Sequence, residues 1–307
     1  PTTIEPALRP TGAARDTVTP LAQAALDGSG TLARELRGIA RGVLLFGPHD
    51  WDASLAAAAE ALATSLGWPV LADPASGLRA GPALQDSLIH GADVLLRDPD
   101  TAAALKPDLI VRFGGLPTSK AIATWMARHA TADLWLVDPA AGFRDPQHRA
   151  SRMLRIGARQ FCELARPDLG PASVEARAWI GRWQHADRVA RAALGEALAA
   201  EQRFLTPHLA QALWRALPGD SVLYVANSMA IREIDAFAGQ RRDAVRVLAN
   251  RGVNGIDGQV SAALGAAAGK VRLDQDGTEV ELDMGNIAKA RLVPDYASLF
   301  TKREETR

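Results

Sequence analysis

The sequence predicts an α/β protein: a Rossmann-like parallel-sheet central domain, a partial second α/β unit and a short antiparallel β tail. Three observations predict it. Short apolar runs alternate with helical stretches from residue 42 to about 139, the alternation restarts at 221, and after 269 the hydrophobic period drops to two. Length and composition agree, since 307 residues are many for one compact domain and 48% hydrophobic with 23% charged residues describes a globular chain.

Residues 1–38 carry Pro1, Pro6, Pro10 and Pro20 among small polar residues and read as a linker. A central domain is expected over 39–205. VLLFG (43–47) suits a strand buried on both faces. Asp50 or Asp52 can cap the Ala-rich helix that follows, Gly67 can end it, and PVLAD (69–73) completes a β-α-β unit. DLIVRFG (108–114), a helix from Ser119 to about His129, and LWLVDP (134–139) continue the alternation, and right-handed crossovers make the sheet parallel. Residues 173–202 predict a long helix, amphipathic through Val174, Trp179, Trp183 and Leu194, with its tryptophans in the core.

The second unit is expected over 206–269. It runs through a strand SVLYVAN (221–227), a helix from about Met229 to Phe237, a strand AVRVLAN (244–250) and a helix GQVSAALGAAAG (258–269). In the tail, 270–307, Val271 and Leu273 alternate with charge and Asp276-Gly277 makes a two-residue hairpin turn. Val280, Leu282 and Met284 return, and NIAKARLV (286–293) reads as a third strand of a meander. Lysine usage shifts at the same place. Three of the five lysines follow Gly269, whereas every tryptophan precedes it.

Composition also excludes. Lys+Arg 35 against Asp+Glu 35 gives zero formal charge, so the chain as a whole offers no electrostatic case for nucleic acid or an anionic membrane. No apolar run reaches membrane-spanning length, and the opening PTTIEPALRP lacks a signal-peptide layout. One cysteine, Cys162, leaves no internal disulfide and fits a reducing cytoplasm. The six histidines are scattered without zinc-ligand spacing, and no metal-ligating set is expected.

Three segments could carry chemistry. In NSMAIRE (227–233), directly after a predicted strand, Ser228 offers a hydroxyl beyond the strand's carboxyl end and Arg232 follows four residues later. A hydroxyl with a guanidinium suits a carboxylate or phosphate, because Arg donates two parallel hydrogen bonds. A helix cap beside a solvated arginine would look the same. In NRGVNGIDG (250–258), Gly252, Gly255 and Gly258 let backbone N–H groups approach an anion at a helix start, and Arg251 adds charge. This is not the GxGxxG dinucleotide fingerprint. In GLPTSK (115–120), Thr118 or Ser119 can cap a helix whose first turn holds Lys120, a position unfavourable to the helix dipole unless an anion is near. A solvated surface lysine is the plainer reading. GDS (219–221) with Asn250 mimics a metal–diphosphate motif, but Asp220 precedes a strand instead of ending one. Together the strand ends predict a crevice for an anionic small molecule.

These segments, with PTTIEPALRP, GWPVLADPASGLR (67–79), PDLIVRFGGLPTSK (107–120), VDPAAGFRDP (137–146), VANSMAIREIDAF (225–237) and ANRGVNGIDGQVSAALG (249–265), resemble one family. It is the 2-succinyl-5-enolpyruvyl-6-hydroxy-3-cyclohexene-1-carboxylate (SEPHCHC) synthases, MenD, of menaquinone biosynthesis. The resemblance covers about residues 1–269 and implies a thiamine-diphosphate enzyme. It would be a transferase (carboligase) that decarboxylates 2-oxoglutarate and adds the succinyl carbanion to isochorismate. It implies a transhydrogenase-III-like central domain followed by part of a diphosphate-binding domain.

By the same resemblance Ser228, Arg232 and Arg251 hold substrate carboxylates, Lys120 reaches in from the central domain, and Gly255 and Ile256 lie near the cofactor. Thiamine diphosphate and Mg2+ are the family's cofactors. A cytoplasmic homo-oligomer, or pairing with a separate pyrimidine-domain chain, is implied. No catalytic residue is assigned, because the pyrimidine-binding domain with its activating glutamate, and the metal motif, do not match any segment of the 307 residues. The chain alone is therefore expected to show little turnover. From Lys270, GKVRLDQDGTEVELDMGNIAKARLVPDY resembles the C-terminal β-barrel segment of the ribosome maturation factor RimP. Two other functions stay open: a non-catalytic regulatory module for an acidic metabolite using Lys120 and Arg144, and ribosome association through the tail.

Overall fold

The computed structural model describes residues 31–49, 52–84, 86–140, 144–166, 169–250, 259, 262–264, 270–275 and 278–283. The chain divides into two compact units, Pro1–Ser221 with Arg232–Arg246, and Val222–Ile231 with Val247–Arg307.

In the first unit, helix α1 (Thr31–Arg37) leads into strand β1 (Gly42–Phe46), helix α2 (Leu55–Leu66) and strand β2 (Val70–Ala72). Short helices α3 (Ala92–Leu95) and α4 (Pro99–Ala104) precede β3 (Leu109–Phe113), α5 (Lys120–Arg128) and β4 (Asp133–Val137). Then come β5 (Arg152–Leu154), α6 (Ala158–Ala165), the long α7 (Val174–Ala200) and α8 (Thr206–Ala216). The five strands form one sheet in the order β2-β1-β3-β4-β5, and every neighbouring pair is parallel.

Strict alternation builds the two faces. Leu44, Phe46, Val111 and Phe113 point to one side, packed against α1, α2 and α6, while Val43, Leu45 and Ile110 point to the other, against α5 and α7. Both faces are covered, so β1 and β3 are buried at every position. Phe46 and Phe113 stack at 4.2 Å and Phe161 of α6 meets Phe113 edge-on at 5.4 Å. On the opposite face Trp125, Trp183 and Trp179 form an edge-to-face chain, and the Trp179 indole N–H donates to the Gly42 carbonyl at 2.8 Å.

Four details depart from the sequence reading. Residues 31–37, inside the expected linker, are helical, with Leu36 fully buried. Asp52 does not cap α2: Ser54 stands at the cap position without a side-chain bond. Asp52 instead accepts from the Ser54 N–H at 2.9 Å and pairs with Arg159 at 2.9 Å, so both carboxylate oxygens are engaged before the helix begins. Asp50 lies outside the described residues. Val174, expected on the apolar stripe of α7, is 68% exposed, because Ser173 caps the helix and the buried stripe is confined to Ala176, Trp179, Trp183 and Asp187. β5 and α6 carry no strong sequence signal, since three residues are too few to show a period. Gly67 ends α2 in the left-handed conformation at φ 68°, as expected.

Strand β6 (Ser221–Val225), helix α9 (Met229–Phe237) and strand β7 (Val245–Ala249) follow one another as expected, and β6 and β7 form a two-stranded sheet. β8 (Lys270–Gln275) pairs antiparallel with β9 (Thr278–Asp283), with Gln275 opposite Thr278, as a two-residue turn requires. The predicted third tail strand lies outside the described residues, as does most of the predicted helix 258–269, of which residues 259 and 262–264 are helical. Among the described residues no helix is long and apolar enough to cross a membrane.

The loops leaving β1 and β3 cross at van der Waals range. A Cβ on Gly47 would sit 1.9 Å from the Gly115 carbonyl oxygen, and Gly114 holds φ 68° with its Cβ position 2.7 Å from the Pro48 oxygen. Gly47 N–H donates to Phe113 O at 2.9 Å and Gly115 N–H to Pro48 O at 2.9 Å. A side chain at Gly47 must part the two loops. Gly47→Ala is therefore expected to cost about 3 kcal/mol in urea unfolding. Gly181→Ala, inside α7 with open space around it, is expected to gain about 0.5–1 kcal/mol.

Two buried polar groups tie stability to pH. Burial pushes His90 down to about 3, with the Arg79 and Arg191 charges acting the same way. Burial pushes Asp235 up to about 7, helped by Asp73 and Asp93 and opposed by Arg79 and Arg97. The two groups act on stability with opposite sign. Folded His90 binds fewer protons than the unfolded chain below its ordinary 6.5, so its contribution is lost on acidification from 6.5 towards 3. Folded Asp235 keeps a proton that the unfolded chain has released above its ordinary 3.8, so its contribution is lost as pH rises towards 7. Between about pH 4 and 6.5 the two slopes cancel. Asp235→Asn is expected to expose the His90 slope, a loss of about 1.4 kcal/mol per pH unit on acidification across that window. Urea midpoints at three pH values check it; a variant curve as flat as the wild type contradicts it.

Candidate functional site

A parallel sheet sealed on both faces can offer chemistry only at its strand ends. The order β2-β1-β3-β4-β5 places its topological switch between β1 and β3, where chain direction after the strands diverges and a crevice opens beyond their carboxyl ends. A cavity of about 340 Å³ lies there. His49 follows β1, Gly114 follows β3, Val137 and Asp138 end β4, and Gly157 opens α6. Arg144 and Arg159 supply positive charge to its wall.

Its charged groups are mutually paired. Arg144 Nε lies 2.9 Å from Asp138 Oδ2, and Arg159 binds both Asp52 at 2.9 Å and Glu163 at 2.7 Å. Asp138 is 5% exposed, with its other oxygen accepting from the Ala140 N–H at 2.8 Å. His49 Nδ1 lies 2.7 Å from the Gly47 carbonyl. Arg112, in the middle of β3 and fully buried, donates to the Arg144 carbonyl, and its guanidinium is pushed down by burial against the pull of Asp145 and Asp138. The loop that carries Arg144 is thus tied to the sheet through its backbone, which leaves the Arg144 side chain, 44% exposed, at the cavity wall. Thiol chemistry is not available, since burial pushes Cys162 up to about 12.

The predicted site residues divide. Lys120 is the first residue of α5 and exposed, with Ser119 rather than Thr118 as the cap: Ser119 Oγ accepts from the Ile122 N–H at 3.1 Å. Lys120 stands beyond the carboxyl end of β3 but does not line the cavity. Arg232 is exposed on α9. Ser228, just ahead of α9, has φ 67°, a left-handed conformation uncommon for a residue with a side chain. A capping residue ordinarily uses extended backbone, so this conformation is unusual for a serine at a helix start. Asp220, at φ 60°, precedes β6 as the sequence reading required. Arg251, Gly255 and Ile256 lie outside the described residues. Among the described residues no group of three or more His, Cys, Asp or Glu is placed to hold a metal ion.

Sequence reasoning missed the residues that line the switch-point cavity, apart from Arg144. For His49, Gly114 and the DP pair at 138–139 the signal was present, since each stands at or just after the end of a predicted strand, whereas Gly157–Gln160 follow β5, which the sequence reading did not predict.

Comparison with known proteins places the fold and the segments together. The family model described as "Middle domain of thiamine pyrophosphate" matches residues 34–225. Curated relatives named 2-succinyl-5-enolpyruvyl-6-hydroxy-3-cyclohexene-1-carboxylate synthase include one from Chloroflexus aurantiacus, 36% identical over 242 residues, 78% of this chain and 41% of the relative. One from Listeria monocytogenes is 35% identical over 227 residues, 74% of this chain and 39% of the relative. One from Geobacillus kaustophilus is 38% identical over 240 residues, 77% of this chain and 40% of the relative. The chain spans about two fifths of the length of the curated relatives it matches. With its parallel sheet and the match running from α1 through β6, the chain belongs to the family of thiamine pyrophosphate enzyme middle domains.

Proposed function

We propose that the protein serves SEPHCHC synthesis, in which 2-oxoglutarate loses CO2 and its remaining four-carbon unit is joined to isochorismate. The observation that carries this reading is the similarity to relatives of that name along three quarters of the chain, together with a family-model match over residues 34–225 that contains Lys120. Thiamine diphosphate, when bound in this family, stabilises the negative charge left by decarboxylation. Among the described residues no group of three or more His, Cys, Asp or Glu is placed to hold its metal, and the roles that follow belong to the chain's own side chains.

Both substrates are polyanions at neutral pH, and the chain's cationic strand-end residues suit them. Arg232, exposed in the first turn of α9, takes a carboxylate through paired N–H donors. Ser228 adds a hydroxyl at the same helix start. Lys120 adds a point charge at the start of α5, where the helix dipole already favours an anion. Arg251 completes the set on the sequence pattern alone.

A second reading is favoured by the 340 Å³ cavity, which Arg144 lines and Lys120 does not. In it the central unit binds an acidic metabolite through Arg144 without converting it.

Calorimetric titration of the chain with isochorismate tests the first reading and does not depend on turnover. Arg232→Ala is expected to weaken binding about ten- to a hundredfold, the loss of about 1.5–3 kcal/mol typical of hydrogen bonds to a charged group. Lys120→Ala is expected to weaken it by no more than about fivefold, as one solvated point charge worth about 0.2–1 kcal/mol should. Wild-type affinity in Arg232→Ala overturns the assignment. If instead Arg144→Ala alone abolishes binding while Arg232→Ala is silent, the second reading replaces the first.

A further inference from the structure

We propose that the seven-residue segment Asp73–Arg79 is a brace that positions Lys120 and Arg232, two substrate-binding candidates on different elements, without itself touching substrate. The proposal rests on the functional reading above.

The brace begins where β2 ends. Asp73, 2% exposed, accepts from the Ala75 N–H at 2.8 Å, which starts a single 3-10 turn over Pro74–Ser76. Its second oxygen accepts from the Thr118 N–H at 2.6 Å, two residues before Lys120. The next residue, Ser119, donates its hydroxyl to buried Asp93 at 2.6 Å while capping α5. The start of α5 is therefore fixed by two buried carboxylates, neither on its own element. Lys120, the first residue after that cap, inherits the placement.

Gly77, at φ 75°, turns the chain, and Arg79 then runs inward, 5% exposed. Its Nη2 donates to the Asp235 carbonyl at 2.9 Å, its Nη1 lies 3.6 Å from Asp235 Oδ1, and Nη1 also reaches the Ala72 carbonyl at 3.4 Å. One guanidinium thus joins the end of β2 to α9. Asp235 lies three residues beyond Arg232, less than one helical turn, so gripping its backbone and side chain together sets both the height and the rotation of α9. Asp235 faces inward and Arg232 outward. Beyond Arg79 the chain continues to hold the segment after α9: Ala80 bridges Arg241, and Gly81 N–H donates to the Arg241 carbonyl at 3.2 Å.

A buried contact between a guanidinium and a carboxyl group is an inefficient way to gain stability, because apolar side chains of the same volume often do as well or better. What it supplies is direction. A guanidinium with fixed donors admits one arrangement of the carbonyls and carboxylate around it, whereas an apolar contact would tolerate a helix turned or slid by a residue. Arg79 and Asp235 are positioning residues on this reading, and Arg232 is the group through which they act.

Two measurements test it. Hydrogen exchange on the unliganded chain reads the brace itself: in Arg79→Met the α9 amides from 232 to 237 are expected to exchange at least tenfold faster while β1 and β3 keep their protection. Unchanged α9 exchange overturns the brace. Isochorismate titration reads its purpose. Asp235→Ala and Arg79→Met are expected to weaken binding about tenfold, and Asp235→Asn, which keeps an acceptor for Arg79, to restore affinity to within about twofold of wild type. The double variant Arg79→Met/Arg232→Ala is expected to bind no more weakly than Arg232→Ala alone, since one acts through the other. Losses that multiply, or no rescue by Asp235→Asn, overturn the positioning role. Absence of isochorismate binding by the wild type overturns the functional reading and the positioning role with it, while exchange still decides whether the brace exists.

Discussion

A parallel sheet covered on both faces must spend every side chain of its central strands on packing. In this protein β1 and β3 are buried at each position, with Phe46 and Phe113 stacked on one side and Val43, Leu45 and Ile110 on the other. No strand residue of the centre faces solvent, so binding groups can stand only on the loops and helix starts beyond the strand ends. That constraint accounts for where the charged residues are. Lys120, Asp138 and Arg144 all follow the carboxyl end of a strand. It also accounts for the glycines. The exit loops of β1 and β3 diverge at the sheet's switch point and must cross within hydrogen-bond range, which only Gly47 and Gly114 permit.

Fixing loops against a sealed core takes polar anchors that reach inward, and these must be satisfied where water cannot help. The chain meets the demand with carboxylates that accept backbone N–H groups. Asp73 receives Ala75 and Thr118, Asp145 receives Arg149 and Ala150, and Asp187 receives Gly91. Each lies between elements distant in sequence or bends a loop on itself. A carboxylate that accepts such bonds is held at less desolvation cost than a bare one, because each donor replaces a lost water. Asp235 is the exception. Its partner Arg79 lies at 3.6 Å, longer than a good hydrogen bond, and burial prevails, pushing its pKa up.

Much of the fold was legible in the sequence, and the reasons are specific. VLLFG, DLIVRFG and LWLVDP are apolar runs bounded by turn residues, and doubly buried strands leave that trace. The tail hairpin was legible because Asp276-Gly277 between two alternating runs is a sequence signal for a hairpin, and β8 and β9 pair antiparallel with Gln275 opposite Thr278. β5 was not, being three residues long with Arg152 at its start. The site was legible in kind more than in detail. Strand-end motifs pointed to Lys120, Ser228 and Arg232 because the rule concerns positions local in sequence. Arg79 could not be weighed by such a rule, since its partner Asp235 lies 156 residues away and no spacing encodes that meeting. The left-handed backbone of Ser228 was also hidden, because serine at a helix start ordinarily signals a cap.

The preference for arginine gains a physical meaning from this arrangement. Only five of the 35 basic residues are lysines, and among the described residues those that reach the interior, Arg79 and Arg112, are arginines. A buried lysine can relieve desolvation by giving up its proton; a guanidinium cannot do so at any physiological pH. The charge at position 79 is therefore permanent, and adjustment falls on the groups around it. His90 stays neutral and Asp235 holds a proton more tightly than an exposed carboxyl would. One fixed cation flanked by two adjustable groups gives α9 an anchor whose geometry does not depend on the arginine's own protonation. Lysine at 79 would put that dependence into the anchor itself, and it would lack the second prong that reaches both Ala72 and Asp235.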